Sequence, residues 1–326
     1  RGYPAPGARV GLREGADARC TSEFTPADLQ NEGHIDNIIR KSIALGLDPI
    51  LAICIATKHV ADHYGLEKHG VIESGRFANF VIFDDLNEFH IKQTWHKGEL
   101  VAQKGKMVKL CSSSLDWSSV KSSVHLPTEI NEESFRICGD AETIRVIGLI
   151  SGELVTEELH EQSLVENGEF IADSKRDMLK LAVIERHQST GNIGLGFVRG
   201  FAFSGGAIAS TVGHDAHNVA VVGDNDGDML LAAKTLSPEG GQCVVANGVV
   251  LAYLPLPIAG LMSDEPAATV ITQQQKVFDA IHTLGCPIDD PFMPLSFLPL
   301  SVIPKLKLSD LGLIDVDQFK VVPLEV

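Results

Sequence analysis

The chain has 326 residues, 43 of them acidic and 27 basic, giving a formal net charge of −16 with 44% hydrophobic and 21% charged positions. That balance excludes disorder and suits about two globular domains, each long enough to bury a core. So acidic a chain, with no dense Lys/Arg cluster, is repelled by phosphate backbones and anionic bilayers, which argues against nucleic acid and membrane surfaces as partners.

The first 20 residues hold Gly2, Gly7 and Gly11 with Pro4 and Pro6 and read as an irregular lead-in. Opening on Arg1-Gly2-Tyr3-Pro4 rather than Met, the chain is expected to be a piece of something longer. Ile35, Ile38, Ile39, Ile43 and Leu45 recur at helical spacing, and Gly46 supplies a stop, predicting a helix over 36–45. Asp48-Pro49 is a helix start, because the Asp carboxylate accepts free amides and Pro fits the first turn, so a second helix is predicted over 49–57. Residues 70–83 and 91–108 have the β-branched and aromatic content of strands, with Lys97-Gly98 as a hairpin turn.

Residues 111–127 carry seven serines and little periodicity, which marks a linker or surface excursion and a domain boundary. Beyond it, strands are predicted over 145–150, 181–185, 207–212, 218–222 and 242–246, and helices over 226–236 and 266–284. This is a mixed α+β pattern. The most apolar run, 249–262, is interrupted by Pro255 and Pro257 and is too short to span a bilayer. The six cysteines are scattered, with no Cys-x-x-Cys and no secretory leader, and read as reduced thiols of a cytoplasmic protein.

Gly213-His214-Asp215-Ala216-His217-Asn218 gathers two imidazoles, a carboxylate and an amide at the end of an apolar strand. Two readings stand at this point. The histidines bind a metal or a nitrogenous ring while Asp215 fixes a tautomer, or the run is a polar turn satisfying its own backbone. Asp224-Asn225-Asp226-Gly227-Asp228 resembles a calcium loop but has Met229 where Gly is needed and Thr235 where a bidentate Glu is needed, so it reads as a helix cap. Gly191-x-x-Gly194-x-Gly196 reverses the dinucleotide order and leads into a strand; its glycines are read as permitting close approach of strands or a turn. Ser204-Gly205-Gly206 and Gly240-Gly241 read as hairpin turns. His59, His63 and His69 have no spaced carboxylate and read as surface or cap residues.

Ordered matches across nearly the whole chain make it resemble the bacterial-type adenine deaminases, which are metal-dependent amidohydrolases. The matches are Cys20-Thr21, Pro26-Ala27-Asp28-Leu29, Glu32-Gly33-His34-Ile35-Asp36, Leu45-Gly46-Leu47-Asp48-Pro49, Glu185-Arg186-His187, Thr190-Gly191-Asn192-Ile193-Gly194, Gly206-Ala207-Ile208-Ala209-Ser210 and His214-Asp215-Ala216-His217-Asn218. They continue through Leu256-Pro257-Ile258-Ala259-Gly260-Leu261-Met262-Ser263, Asp290-Pro291-Phe292-Met293 and Leu295-Ser296-Phe297.

The resemblance implies the end of an amidohydrolase (β/α)8 barrel over 1–65, a small β unit over 66–110, a Ser-rich linker over 111–130 and an α+β C-terminal domain over 131–326. It implies hydrolysis of adenine to hypoxanthine and ammonia in purine salvage, with Mn2+ or Fe2+ activating water in the full-length family. It implies too that no complete metal set lies in this chain and that the ion is not retained here. His214, Asp215, His217 and Asn218 are then expected at the mouth that admits the purine. Where the family has Cys-Thr-Asp-Asp, this sequence has Cys20-Thr21-Ser22-Glu23, so the proton-shuttling aspartate is replaced by Ser22 and Glu23 becomes the candidate catalytic residue. Asn79 stands where amidohydrolases often keep Asp, with a structural role expected.

The leading expectation is the C-terminal part of an adenine deaminase, inactive alone, in a homo-oligomer or in association with a barrel-bearing subunit. Its rivals are a non-catalytic purine-binding, regulatory or oligomerisation module, and one piece of a fragmented reading frame.

Overall fold

The computed structural model describes residues 25–109 and 115–326. The chain divides into two compact units at Leu115/Asp116.

In the first unit, α1 (Pro26–Asn31) is started by Thr25 and Asp28, each accepting the other's backbone amide, and α2 (Ile35–Ala44) follows. The start read at Asp48-Pro49 is realised in α3 (Pro49–Ala56), where the Asp48 carboxylate accepts the Leu51 amide at 2.9 Å. After α4 (Lys58–His63) come β1 (Phe80–Phe83), β2 (Ile91–His96), β3 (Glu99–Gln103) and β4 (Lys106–Met107), an antiparallel meander in sequence order. The β2–β3 turn is Lys97-Gly98, both at positive φ, as a two-residue turn requires to match the strand twist. Ile39, Ala52 and Phe89 form the small core of this unit.

The second unit is built on an eight-stranded sheet, preceded by the short strand β5 (Ile137–Cys138). Its members are β6 (Thr143–Leu149), β7 (Thr156–Gln162), β10 (Leu179–Ile184), β11 (Ile193–Arg199), β12 (Ala207–Ser210), β13 (Val219–Gly223), β14 (Gly241–Ala246) and β15 (Val249–Pro255). Outside it the short β9 (Glu169–Phe170) pairs with β5 on one side and with β8 (Val165–Glu166) on the other. The strand order is β15-β14-β12-β13-β10-β11-β6-β7, antiparallel except for the β11–β6 pair. Every residue of β10, β13 and β14 is buried, because both faces of the sheet are covered.

One face takes α5 (Asp226–Thr235) through Met229, Ala232, Ala233 and Leu236, together with Val124, Ile130 and Phe135 from the entering chain. The other takes α6 (Ala267–Thr283), α7 (Phe292–Phe297) and the hairpin of β16 (Leu306–Ser309) and β17 (Gly312–Asp315), which β18 (Lys320–Val321) extends. Gly194 makes the hairpin's approach possible: a Cβ there would sit 1.8 Å from the Ser309 carbonyl oxygen.

Two turns are corrected. Gly205-Gly206 leads into β12, which pairs with β13 and β14 rather than with the preceding β11, and Gly240-Gly241 joins α5 to β14. Neither is a hairpin; glycine marks a sharp change of direction without specifying which elements it joins. Among the described residues Cys54, Cys138, Cys243 and Cys286 are free thiols, and no helix is long and apolar enough to cross a membrane.

Candidate functional site

A strand buried on both faces can carry polar groups only at its ends, and the motifs singled out in the sequence meet at one end of the sheet. Ile184, the last residue of β10, is paired with Ile193 at the start of β11 and with Val219 at the start of β13. Glu185-Arg186-His187, Asn192 and the 213–218 loop therefore leave the sheet side by side. The β16–β17 turn adds Asp310, whose carboxylate accepts the side-chain amides of Asn218 at 3.2 Å and Asn192 at 3.3 Å.

Arg186 organises this end. Only 1% exposed, its guanidinium donates to three separated segments: Nε to the His217 carbonyl, Nη2 to the Ala259 carbonyl at 2.9 Å, and Nη1 to the Ser123 hydroxyl at 3.3 Å. No carboxylate lies within ion-pair distance of it among the described residues. Burial lowers its pKa, with the neighbouring Glu185 opposing. Glu185 turns away to bind its own loop, accepting the amides of His187, Gln188 (2.9 Å) and Thr190 (3.0 Å) and the Thr190 hydroxyl (3.2 Å). Burial raises its pKa, but these bonds outweigh that and leave it below the ordinary carboxylate value.

The expected site residues divide. His214 lies against Phe297 with ring centroids 4.4 Å apart, and its amide donates to the Ser296 carbonyl at 2.8 Å. The His214 and His217 rings are 6.3 Å apart. His217 takes positive φ (53°), and its Nδ1 is buried without a partner among the described residues. Burial, then the Arg186 and His214 charges, hold its pKa below the ordinary imidazole value, so the ring is neutral at neutral pH. Asp215 is exposed and hydrogen-bonds neither histidine, so the expectation that it fixes a tautomer is corrected. The Ala216 carbonyl instead accepts from His187 Nε2 at 2.7 Å. Asn218 is buried, with Nδ2 on Asp310 and Oδ1 without a partner among the described residues.

Glu23 and Ser22 lie outside the described residues. Among those described, no three His, Cys, Asp or Glu side chains converge where they could hold a metal. The two loop histidines, one packed on Phe297, do not by themselves make a donor set for the ion the family resemblance implies. The calcium-like run is committed to the fold: Asp224 accepts the Gly206 amide, Asn225 caps α5 through the Asp228 amide, Asp226 pairs with Lys180 at 2.6 Å, and Asp228 accepts the Asn247 and Gly248 amides. Asn79 also has a structural task, accepting the Lys97 amide at 2.7 Å and so bracing the β2–β3 turn.

Arg186 was visible in its motif without a role, and Asp310 was missed: it lies 92 positions from Asn218, in a Ser-Asp-Leu-Gly stretch that looks like any turn.

The family model described as adenine deaminase C-terminal domain matches residues 153–320, and the amidohydrolase family model matches residues 17–101. A protein named adenine deaminase from Dehalococcoides mccartyi (strain 195) is 40% identical over 98% of this chain and 59% of its own length. Others of that name from Methanothrix thermoacetophila and Nitratidesulfovibrio vulgaris (Hildenborough) are each 41% identical, over 94% and 92% of this chain and 53% and 52% of their own lengths. The chain thus spans less than two thirds of the length of the curated relatives it matches. Over half of it is covered by one family model, and the chain belongs to the adenine deaminase C-terminal domain family.

Proposed function

We propose that this chain is part of a hydrolase that converts adenine and water to hypoxanthine and ammonia in purine salvage, in the cytoplasm, and that its sheet-end loop 213–218 meets the purine. The observation that carries this reading is identity of about 40% to proteins named adenine deaminase over nearly all of the chain. The geometry supports a binding share in the work. His217, neutral, and Asn218, with a free acceptor, suit an uncharged nitrogen heterocycle, and Arg186 braces the loop that carries them.

In such an enzyme a manganese or iron ion supplies the activated water. The described residues do not fit such an ion, and what the described loop contributes is recognition of the ring, with Arg186 supporting it. The chain works as a homo-oligomer or beside a barrel-bearing subunit.

The test is to incubate the purified 326-residue chain with manganese and adenine, follow hypoxanthine, and measure adenine binding by calorimetry. Binding without turnover above a metal-only control is expected. Turnover overturns the reading that this chain is inactive alone, and absence of binding overturns the purine contact. Ser22, standing where the family's aspartate is expected, favours a second reading, a non-catalytic purine-binding, regulatory or oligomerisation module. Adding the chain to a full-length relative discriminates: a regulatory module changes that enzyme's rate per active site, and a deaminase portion leaves it alone.

A further inference from the structure

Asp310 gives Asn218 a direction. A carboxylate at this spot accepts two amide N–H groups, one on each oxygen: Asn218 Nδ2 on Oδ1 at 3.2 Å and Asn192 Nδ2 on Oδ2 at 3.3 Å. An acceptor admits only the NH2 side of an amide, so Asn218 is held with its carbonyl oxygen turned away from Asp310. That oxygen belongs to a side chain only 4% exposed and has no donor among the described residues. Native structures rarely leave a buried acceptor unpaired, because the unmade bond carries an uncompensated desolvation cost, so a partner that completes it is favoured.

Several donors at this sheet end are committed elsewhere. Arg186 is engaged by His217, Ala259 and Ser123, and the Thr190 hydroxyl and the 187, 188 and 190 amides are taken by Glu185. The loop's own tip, Asp215-Ala216, is exposed, so this end of the sheet faces solvent at the tip.

Resting on the purine reading above, we propose that Asp310 is a positioning residue for substrate selection: it fixes Asn218 Oδ1 to accept an N–H of the purine's exocyclic amine, so that the chain favours an amine-bearing ring over the same ring without it.

The test is calorimetry of the 326-residue chain with adenine and with unsubstituted purine. The unaltered chain is expected to bind adenine about tenfold more tightly than purine, because purine leaves the oriented oxygen unpaired. Asp310→Leu, which offers no acceptor and frees the Asn218 amide to turn, is expected to bring the two ligands within about twofold of each other while purine affinity stays where it was. Asp310→Asn keeps one acceptor oxygen and gives an intermediate preference; it decides the matter where the leucine variant fails to fold. Equal weakening of both ligands means Asp310 only supports the fold, and an unchanged preference means a solvent molecule satisfies the oxygen; either result overturns the proposal. If the unaltered chain binds adenine but does not prefer it to purine, this inference alone fails. If it does not bind adenine, the purine reading fails and takes the inference with it.

Discussion

The two units solve the burial of a β-sheet in opposite ways. In the second, β10, β13 and β14 are buried along their whole lengths between α5 on one face and α6, α7 and the β16–β17 hairpin on the other. In the first, no residue of β1 is buried, and large apolar side chains such as Ile72 and Leu45 are 82% and 67% exposed. Where both faces are covered, distance along the strand alone decides whether a polar group can be accommodated, so polar residues collect at strand ends and form a site there. Where one face is open, polar and apolar positions mix and no such concentration arises.

The two tryptophans separate the units experimentally, Trp95 lying in the first and Trp117 in the second, so single-tryptophan variants report each melting transition. The largest effect is expected from Gly194→Ala. Its Cβ would meet the Ser309 carbonyl oxygen at 1.8 Å, so the β16–β17 hairpin must shift; a loss of about 3 kcal/mol or more in denaturant titrations followed at Trp117, with Trp95 unaffected, is expected. A shared shift of both signals would mean that the units do not melt separately.

Lys307→Met should act in the other direction. Lys307 is fully buried with its ammonium on the Leu154 carbonyl at 3.2 Å, and burial pushes its pKa down from 10.5 to about 8. The unfolded chain holds that proton to higher pH than the folded one, so the penalty is complete below pH 8 and fades as pH rises from about 8 towards 10.5. The methionine variant should therefore be more stable at pH 7, by up to about 3 kcal/mol, with the gain shrinking in melts at pH 9 and above. A gain that does not vary with pH would place the effect in packing instead.

The smallest effect tests where the units agree. Asn225 caps α5 and Asp48 caps α3 by the same bond, at 2.8 and 2.9 Å. Asn225→Ala and Asp48→Ala should each cost about 1 kcal/mol, read at Trp117 and Trp95 respectively.

That shared chemistry explains what could be read from the sequence. Helix starts were legible because Asp48-Pro49 and Asn225-Asp226 act within a few residues of where they sit, and β10, β13 and β14 because two-sided burial writes an apolar run. The β11 segment was less legible: the close approach read at its glycines is met at Gly194, against the Ser309 carbonyl, but the glycines hide the strand that carries them. β7, with Glu157, Glu158, His160 and Glu161, carries no apolar alternation because it is the edge of the sheet. In the site, the clustering of His214, His217 and Asn218 was visible, whereas Asp310 and the convergence of Ser123, His217 and Ala259 on Arg186 depend on chain crossings that no local pattern encodes.

That convergence on one guanidinium also bears on the order in which the molecule assembles. Arg186 reaches segments 63, 31 and 73 residues away in sequence, so its bonds form only after three long chain closures. The 213–218 loop therefore matures late, once the central strands have already paired, and in refolding followed by pulsed hydrogen exchange the amide of His217 should gain protection after that of Ala182.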